Sequence, residues 1–317
     1  MMQSSTSRKE IDFMSKHKIA AAMSAILLLI GIGSLFTQGL NFGIDFTGGT
    51  MIELAYQEEI APEEIRGILS EHGHGDAIVQ NFGSIHDLLI RLPVIEGANM
   101  AELSNEIVGV LQENHASEID VRRVEFVGPQ VGEELTEQGG LAMLYALIGI
   151  LIYVSLRFEY RFAIGSIVAL VHDVLMTLGF FSLFQIEFDL TVLAAILAVI
   201  GYSLNDTIVV FDRIRETFLR LRKGSSQQII NRALTDTLSR TLVTSLTTLL
   251  VVLSLFFLGG EVIHSFAIAL MMGIIIGTYS SIYIASSSVL IMGISKVDLL
   301  PKEKDNDQEI GEDGSQV

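Results

Sequence analysis

The fold class is decided by residues 190–216, which read LTVLAAILAVIGYSLNDTIVVFDRIRE. A helix of about 20 apolar residues is long enough to cross the hydrocarbon core of a bilayer. The run from Leu190 to Phe211 has that length, and the charged residues Asp212 and Arg213 follow it directly. The stretch therefore predicts a transmembrane helix that holds an aspartate, Asp206, within its apolar part.

Five further apolar runs predict that the chain crosses the membrane six times. Half of its 317 residues are hydrophobic and only 18% are charged, which favours a polytopic α-helical membrane protein over a soluble one. The first run is too long for the apolar region of a signal peptide and is interpreted as a permanent helix. The five runs are Ile19 to Phe36, Leu141 to Leu156, Phe162 to Phe184, Leu242 to Leu258 and Ser265 to Met292.

The distribution of Lys and Arg predicts the orientation, because positive charge near the ends of spans stays in the cytoplasm. Lys and Arg occur in the amino terminus, the short 157–161 loop and the region after the fourth span, whereas residues 185–189 and 259–264 contain no Lys or Arg. The predicted organisation is a cytoplasmic segment 1–18, a first span 19–38, a periplasmic domain 39–138, five spans within 139–292 with a cytoplasmic loop at 212–240, and a disordered tail 293–317.

The polar segment between the first two spans predicts a small α+β domain. Its pattern gives strand, helix, strand, strand, helix, strand, with Pro62 in the first turn of a helix and Gly83-Ser84 in a turn. That order is typical of a ferredoxin-like fold. The predicted elements are Met51 to Tyr56, Pro62 to His72, Ala77 to Phe82, Asp87 to Leu92, Ala98 to Asn114 and Ile119 to Val127.

Charged residues inside the spans are the candidate functional residues, since an ionised side chain at the bilayer centre costs about 2.5 to 3.5 kcal/mol. His172 and Asp173 lie near the middle of the third span, and Asp206 lies near the end of the fourth. Arg240 begins the fifth, so we predict that it pairs with Asp206 and that Asp206 carries a proton. The alternatives are that Arg240 reaches to the interface and that both aspartates only make interhelical hydrogen bonds.

Neutral polar residues accompany these charges. Ser203 and Asn205 precede Asp206, and Thr244 and Thr248 follow Arg240 in a run of hydroxyl residues that is unusual for a lipid-facing helix. These side chains are expected to face protein or water. Glycines in the spans, among them Gly201 and Gly273, predict close helix packing.

Several function classes are disfavoured. The chain has no cysteine and a net charge of −17, so neither a thiolate metal site nor a nucleic-acid partner is expected. The sequence contains no H-E-x-x-H, G-x-S-x-G or G-x-x-x-x-G-K-[ST] pattern. We therefore expect no enzyme activity, no cofactor and no bound metal, and energy that comes from an ion gradient or a partner.

Two motifs carry a family resemblance. Residues 43–49, GIDFTGG, resemble the G-[IV]-D-F-x-G-G signature of the SecD/SecF export proteins, which involves Gly43, Asp45, Gly48 and Gly49. Residues 201–216, GYSLNDTIVVFDRIRE, resemble the form G-Y-S-x-N-D-T-[IV]-V-[VI]-[FY]-D-R-[IV]-R-E in the SecF branch of that family. Val171-His172-Asp173 and the Ser239-Arg240-Thr241 region are also similar to it, so the likeness covers essentially the whole chain. On residues alone, the first motif is interpreted as a backbone turn at the membrane exit.

The resemblance implies a half of the RND type in the bacterial inner membrane that pairs with SecD. It implies that the pair uses the proton-motive force to help unfolded secretory polypeptides through the SecYEG channel, with YajC or YidC as further partners. It places the family's intramembrane aspartate at Asp206 and its arginine at Arg240. The alternative is half of a small-molecule RND efflux transporter, although one half with one small domain lacks the large external domains of such pumps. Either half is expected to need a partner.

Overall fold

The computed structural model describes residues 10–94, 100–114, 118–221, 223–295 and 297–299. Within this part, six helices are long and apolar enough to cross a membrane, which confirms the predicted helical class. The last of them contains a π-helical segment, Ser281–Ala285, between the α-helical stretches His264–Ser280 and Ser286–Ile291. The helices are α1 His17–Thr37, α2 Ile44–Thr47, α3 Pro62–Glu71, α4 Met100–Asn114, α5 Pro129–Arg157, α6 Tyr160–Phe184, α7 Leu190–Arg220, α8 Ser226–Leu258, α9 His264–Ser280 and α10 Ser286–Ile291.

The segment between α1 and α5 folds into a sheet with two helices on one face, hereafter the α+β domain (residues 49–127). Its core consists of alternate residues of the central strands packed against the apolar faces of α3 and α4. The strands are β1 Asn41–Phe42, β2 Gly49–Tyr56, β3 Ile78–Phe82, β4 Ser84–Leu92, β5 Ile119–Val127 and β6 Glu187–Phe188. The spatial strand order β3-β4-β2-β5 is antiparallel throughout and matches the order that the predicted ferredoxin-like fold requires.

The prediction that residues 212–240 form a loop is wrong, because most of them are helical. Helix α7 continues to Arg220 and α8 begins at Ser226, where Ser225 and Gln228 form a capping box. The extensions are amphipathic, and their apolar faces belong to one buried core. A search for 20 consecutive apolar residues cannot detect such helices, since half of each surface is polar.

Two other boundaries also differ from the prediction. Helix α5 begins at Pro129, so the last ten residues assigned to the periplasmic domain form the polar first turns of a membrane-length helix. At the other end, Val297–Leu299 form a short helical turn, and Leu299 is buried in the core beneath α7 and α8. The part of the predicted tail from residue 300 onward, like residues 1–9, lies outside the described residues.

Candidate functional site

Asp206 lies where three membrane helices meet. Its side chain projects from α7, and each carboxylate oxygen accepts one hydrogen bond from a hydroxyl group of another helix. Thr241 Oγ1 of α8 is 2.7 Å from Oδ1, and Ser281 Oγ of the π-helical segment is 2.5 Å from Oδ2. A π-helical turn in a long helix is often found at a functional position. The acid is thus held by two neutral donors that can also act as acceptors.

The predicted ion pair between Asp206 and Arg240 is not formed in this structure. Among the described residues, no carboxylate lies within 4.0 Å of the Arg240 guanidinium, and this side chain is exposed. Adjacent helical residues point about 100° apart, so α8 can direct only one of Arg240 and Thr241 at Asp206. It directs Thr241, which is 2% exposed, and Arg240 acts on Asp206 only through its electric field.

The predicted supporting residues divide into two groups. Ser203 is buried and contacts a carboxylate, whereas Asn205 and Thr244 are exposed on the surface of the chain. The hydroxyls of Thr244 and Thr248 donate to the carbonyls of residues 240 and 244 of their own helix, at 2.8 and 2.9 Å. The hydrogen bonds of these two threonines thus stay within α8 and do not reach Asp206.

A second carboxylate within the helices belongs to Asp173, which is buried with 1% exposed. His172 Nδ1 is 2.8 Å from Oδ1, and the Ser203 hydroxyl of α7 donates a short hydrogen bond to Oδ2. Because the carboxylate accepts both bonds, we assign the proton of the His172 ring to Nδ1. Nε2 is buried without a hydrogen-bond partner in the part of the chain that the structure describes. The predicted His172 and Asp173 therefore form a unit with Ser203, and α7 connects it to Asp206.

Sequence reasoning missed Ser281, although a signal was present. The last span contains five serines within nine residues, Ser280, Ser281, Ser286, Ser287 and Ser288, which is unusual for a lipid-facing helix. All but Ser288 are nearly fully buried, and Ser286 Oγ donates to Ser281 O at 3.1 Å. The serine cluster of the last span thus lies next to the Asp206 carboxylate.

The glycine motif after α1 forms a tight turn into the α+β domain. Gly48 and Gly49 have φ values of 67° and 126°, and a Cβ atom on Gly49 would lie 2.4 Å from the Leu92 carbonyl oxygen. Asp45 Oδ2 accepts a hydrogen bond from the Leu190 backbone N–H at 3.0 Å, and Gly43 N donates to Phe188 O. The motif is therefore a backbone turn, as its residues alone predicted, and it also binds the start of α7.

Six apolar helices around buried carboxylates, joined to a small α+β domain, define a polytopic membrane protein with ionisable groups in its interior. The family model described as protein export membrane protein SecD/SecF, C-terminal, matches residues 107–295, and the SecD/SecF GG motif matches residues 33–60. The chain belongs to the SecD/SecF family, which confirms the resemblance found in its motifs.

Relatives with known names support this membership. The chain is 51% identical over 303 residues to the protein translocase subunit SecF of Vibrio alginolyticus, covering 96% of each chain. It is 44% identical over 297 residues to the SecF subunit of Escherichia coli O157:H7, covering 93% of this chain and 92% of the relative. The crystal structure of SecDF from Thermus thermophilus, described as a translocon-associated membrane protein, superposes with a TM-score of 0.82 at 38% identity. The chain covers 40% of that SecDF chain, and 92% of its own length is matched.

Proposed function

We propose that this chain is the SecF-type subunit of a bacterial inner-membrane export complex in which protonation of Asp206 drives movement. With SecD, it uses the proton-motive force to help secretory polypeptides through or away from SecYEG on the periplasmic side. The observation that carries this proposal is the Asp206 site, a carboxylate within an apolar helix that is held by two hydroxyls from two other elements.

The geometry supports a role as a proton carrier. An ionised Asp206 accepts from both hydroxyls, whereas a protonated carboxyl must donate to one of them. Thr241 and Ser281 can each rotate the hydroxyl group to accept, so one proton reverses the hydrogen bond either to α8 or to the π-helical segment. Each proton that crosses 100 mV releases ~2.3 kcal/mol. A few protons per cycle are thus enough for a sizeable conformational change.

The outward surface next to this site supports the need for a partner. Three polar side chains of this surface are exposed, those of Asn205, Arg240 and Thr244. A Cβ atom on Gly201 would meet no atom within 4 Å outside the nearby backbone of its own helix. A guanidinium and an amide at the depth of the membrane cost free energy when they face lipid. They are suited to a protein surface, and the solved SecDF is a longer chain, of which this chain covers 40%. We propose that this surface contacts SecD and that Arg240 supplies positive charge at the interface between the two proteins.

The positions of the basic residues support the predicted orientation. Arg157 at the end of α5 lies 2.8 Å from Asp212, and Arg161 at the start of α6 pairs with Asp298. These ends of the helices are opposite to the ends that lead into the α+β domain. With positive charge retained in the cytoplasm, both termini are cytoplasmic and the α+β domain is periplasmic. It is then on the side where an exported polypeptide emerges.

Substitution of Asp206 by Asn tests the proposal. Asn preserves size but cannot carry a proton, so export of a secretory reporter should fail in cells depleted of their own SecF. The matched control is Asp212→Asn on the same helix, since the Asp212 side chain is 41% exposed beyond the apolar part. Membrane insertion and co-purification with SecD are measured for both variants.

Loss of export with intact assembly for Asp206→Asn, together with export by Asp212→Asn, supports Asp206 as the coupling site. Normal export by Asp206→Asn would contradict the proton-carrier role. Repeating the assay with an imposed proton gradient and then with a sodium gradient in vesicles identifies the coupling ion.

A further inference from the structure

A segment of the chain, residues 39–48, crosses over the turn between α6 and α7 and is called the strap. Strand β1 of the strap pairs in parallel with β6 in that turn. The strap follows α1 and leads through the glycine turn into β2, the strand between β4 and β5. Hydrogen bonds fasten it to the turn and to the adjacent ends of α6 and α7, among them Ser182 Oγ to Gly39 O at 2.7 Å, Asn41 Nδ2 to Gln185 O at 2.9 Å, Gly43 N to Phe188 O at 3.0 Å and Leu190 N to Asp45 Oδ2 at 3.0 Å.

Arg91 connects the folded sheet to both the strap and the turn. It belongs to β4, is 6% exposed, and sends its guanidinium out of the domain towards the membrane helices. One terminal nitrogen donates to Phe42 O at 2.9 Å and the other to Asn41 Oδ1 at 2.9 Å. The first nitrogen also lies 3.7 Å from Glu187 Oε1. One side chain of the domain thus contacts two segments outside it.

The chemistry of this contact requires arginine. A planar guanidinium can donate in two directions at once, whereas a lysine ammonium acts as a compact point charge. A buried arginine is rare without a charged partner. Glu187 provides that charge: burial raises the pKa of its carboxyl, and the Arg91 guanidinium acts in the opposite direction. Asp45 and Asp189 lie nearby and add negative potential.

We propose that Arg91 is a positioning residue that couples the α+β domain to α7. The proposal rests on the proposed function, in which Asp206 drives the movement. Helix α7 carries Asp206 and Ser203 in the membrane, and its first turn is bound by Asp45 of the strap. Arg91 ties the domain to the strap and to the residue that precedes this helix by three positions. A displacement of α7 is therefore passed to the sheet.

The junction leaves room for such a displacement. A cavity of about 300 Å³ separates the face of the domain from the ends of the helices and is lined by charged groups of both, including Arg123, Glu125, Asp45 and Asp189. A small apolar cluster around Ile44 joins the strap to the sheet, and Phe42 and Phe46 of the strap pack against Phe188 of the turn. Arg91 adds charge-assisted hydrogen bonds to these contacts, and such bonds provide geometric specificity as well as energy.

The first test compares Arg91→Met with Arg122→Met in the full complex with SecD. Arg122 belongs to β5 of the same domain, is 46% exposed, and pairs with Asp87 inside the domain at 3.1 Å. Arg91→Met should lower reporter export about tenfold, within the range typical of coupling between sites. Arg122→Met should leave export unchanged. Arg91→Lys, which retains the charge but not the two-directional geometry, should be intermediate and serves if Arg91→Met does not assemble.

The second test measures the coupling directly. The chain contains no cysteine, so the substitutions Glu71→Cys on α3 and Phe184→Cys at the end of α6 provide two selective positions for spin labels. Pulsed electron resonance gives the distance distribution between the labels. Asp206→Asn should shift this distribution when Arg91 is present and leave it unshifted in the Arg91→Met background.

Each outcome decides the proposal. A shift caused by Asp206→Asn that persists with Arg91→Met, the absence of a shift in both backgrounds, or normal export by Arg91→Met would overturn it. The proposed function fails separately, through normal export by Asp206→Asn, and that result is obtained without any Arg91 variant.

Discussion

The inner helices α6, α7 and α9 and the outer helices α1, α5 and α8 are similarly apolar but differ strongly in burial. In the most apolar window of 18 residues in each span, 44% of the residues are buried in α6, in α7 and in the last span, His264–Ile291, which contains α9. The corresponding values are 17% for the span of α1, 6% for α5 and 11% for α8. Apolar composition places a helix in the membrane, but it does not decide whether the neighbour of that helix is protein or lipid.

The two groups also use their polar residues differently. His172, Asp173 and Ser203 on the inner helices bond to one another, and Asp206 is held by groups from two other elements. On α8, the hydroxyls exposed to the outside bond mainly to their own backbone, and only Thr241, which turns inward, contacts a carboxylate. The inner helices thus contain the two hydrogen-bonded carboxylates, Asp173 and Asp206, and the outer surface of α8 has the composition of a protein interface.

The largest expected loss of stability comes from adding a large side chain between two inner helices. A Cβ on Gly273 of α9 would lie 2.1 Å from a methyl group of Val199 on α7, whereas Gly201 has no atom within 4 Å. Gly273→Leu should destabilise the purified chain by about 3 kcal/mol, because overpacking forces two buried helices apart. Gly201→Leu should change the stability little and instead weaken co-purification with SecD. Thermal unfolding in detergent measures the first quantity, and equal destabilisation by both variants would remove the distinction between inner and outer surfaces.

A smaller effect distinguishes the two sides of α8. Thr241→Val removes a hydrogen bond to the Asp206 carboxylate and should cost about 1 to 2 kcal/mol of unfolding free energy. Thr244→Val removes only a bond to its own helix and should cost less than about 0.5 kcal/mol. The same unfolding assay compares them. A larger loss for Thr244→Val would indicate that the outer hydroxyls are structural within this chain.

The smallest effect concerns the start of inner helix α6, where Arg161 pairs with Asp298. The hydrogen bond from this guanidinium, aided by Ser295, lowers the pKa of Asp298 to about 2. A lowered pKa means that the stabilisation is present above pH 3.8 and is lost as the pH falls through about 2. Hydrogen exchange at residues 295–299, corrected for its intrinsic pH dependence, should show this loss of protection. Asp298→Asn should show weak protection at every pH, and protection equal to wild type would contradict the assignment.

The sequence alone determined the elements that depend on local composition. Six apolar runs specified six spans because a helix of that length satisfies its own backbone hydrogen bonds within lipid. Alternating and helical periodicity specified the α+β domain, and the cost of a charge in a bilayer singled out Asp206, Asp173 and His172. The motif residues Gly43, Asp45, Gly48 and Gly49 were also identified from the sequence, although their contacts with α7 were not.

Only the tertiary structure decided which side chains meet. Arg240 and Thr241 are neighbours in sequence, and the rotation of α8 about its axis, set by packing against α7 and α9, turned the threonine rather than the arginine towards Asp206. The same packing brought Ser281 from a distant helix to the other carboxylate oxygen and placed Arg91 against the strap. Such contacts depend on the relative rotation and depth of helices far apart in the chain. Local patterns specify which face of a helix is apolar but not which neighbour that face will contact.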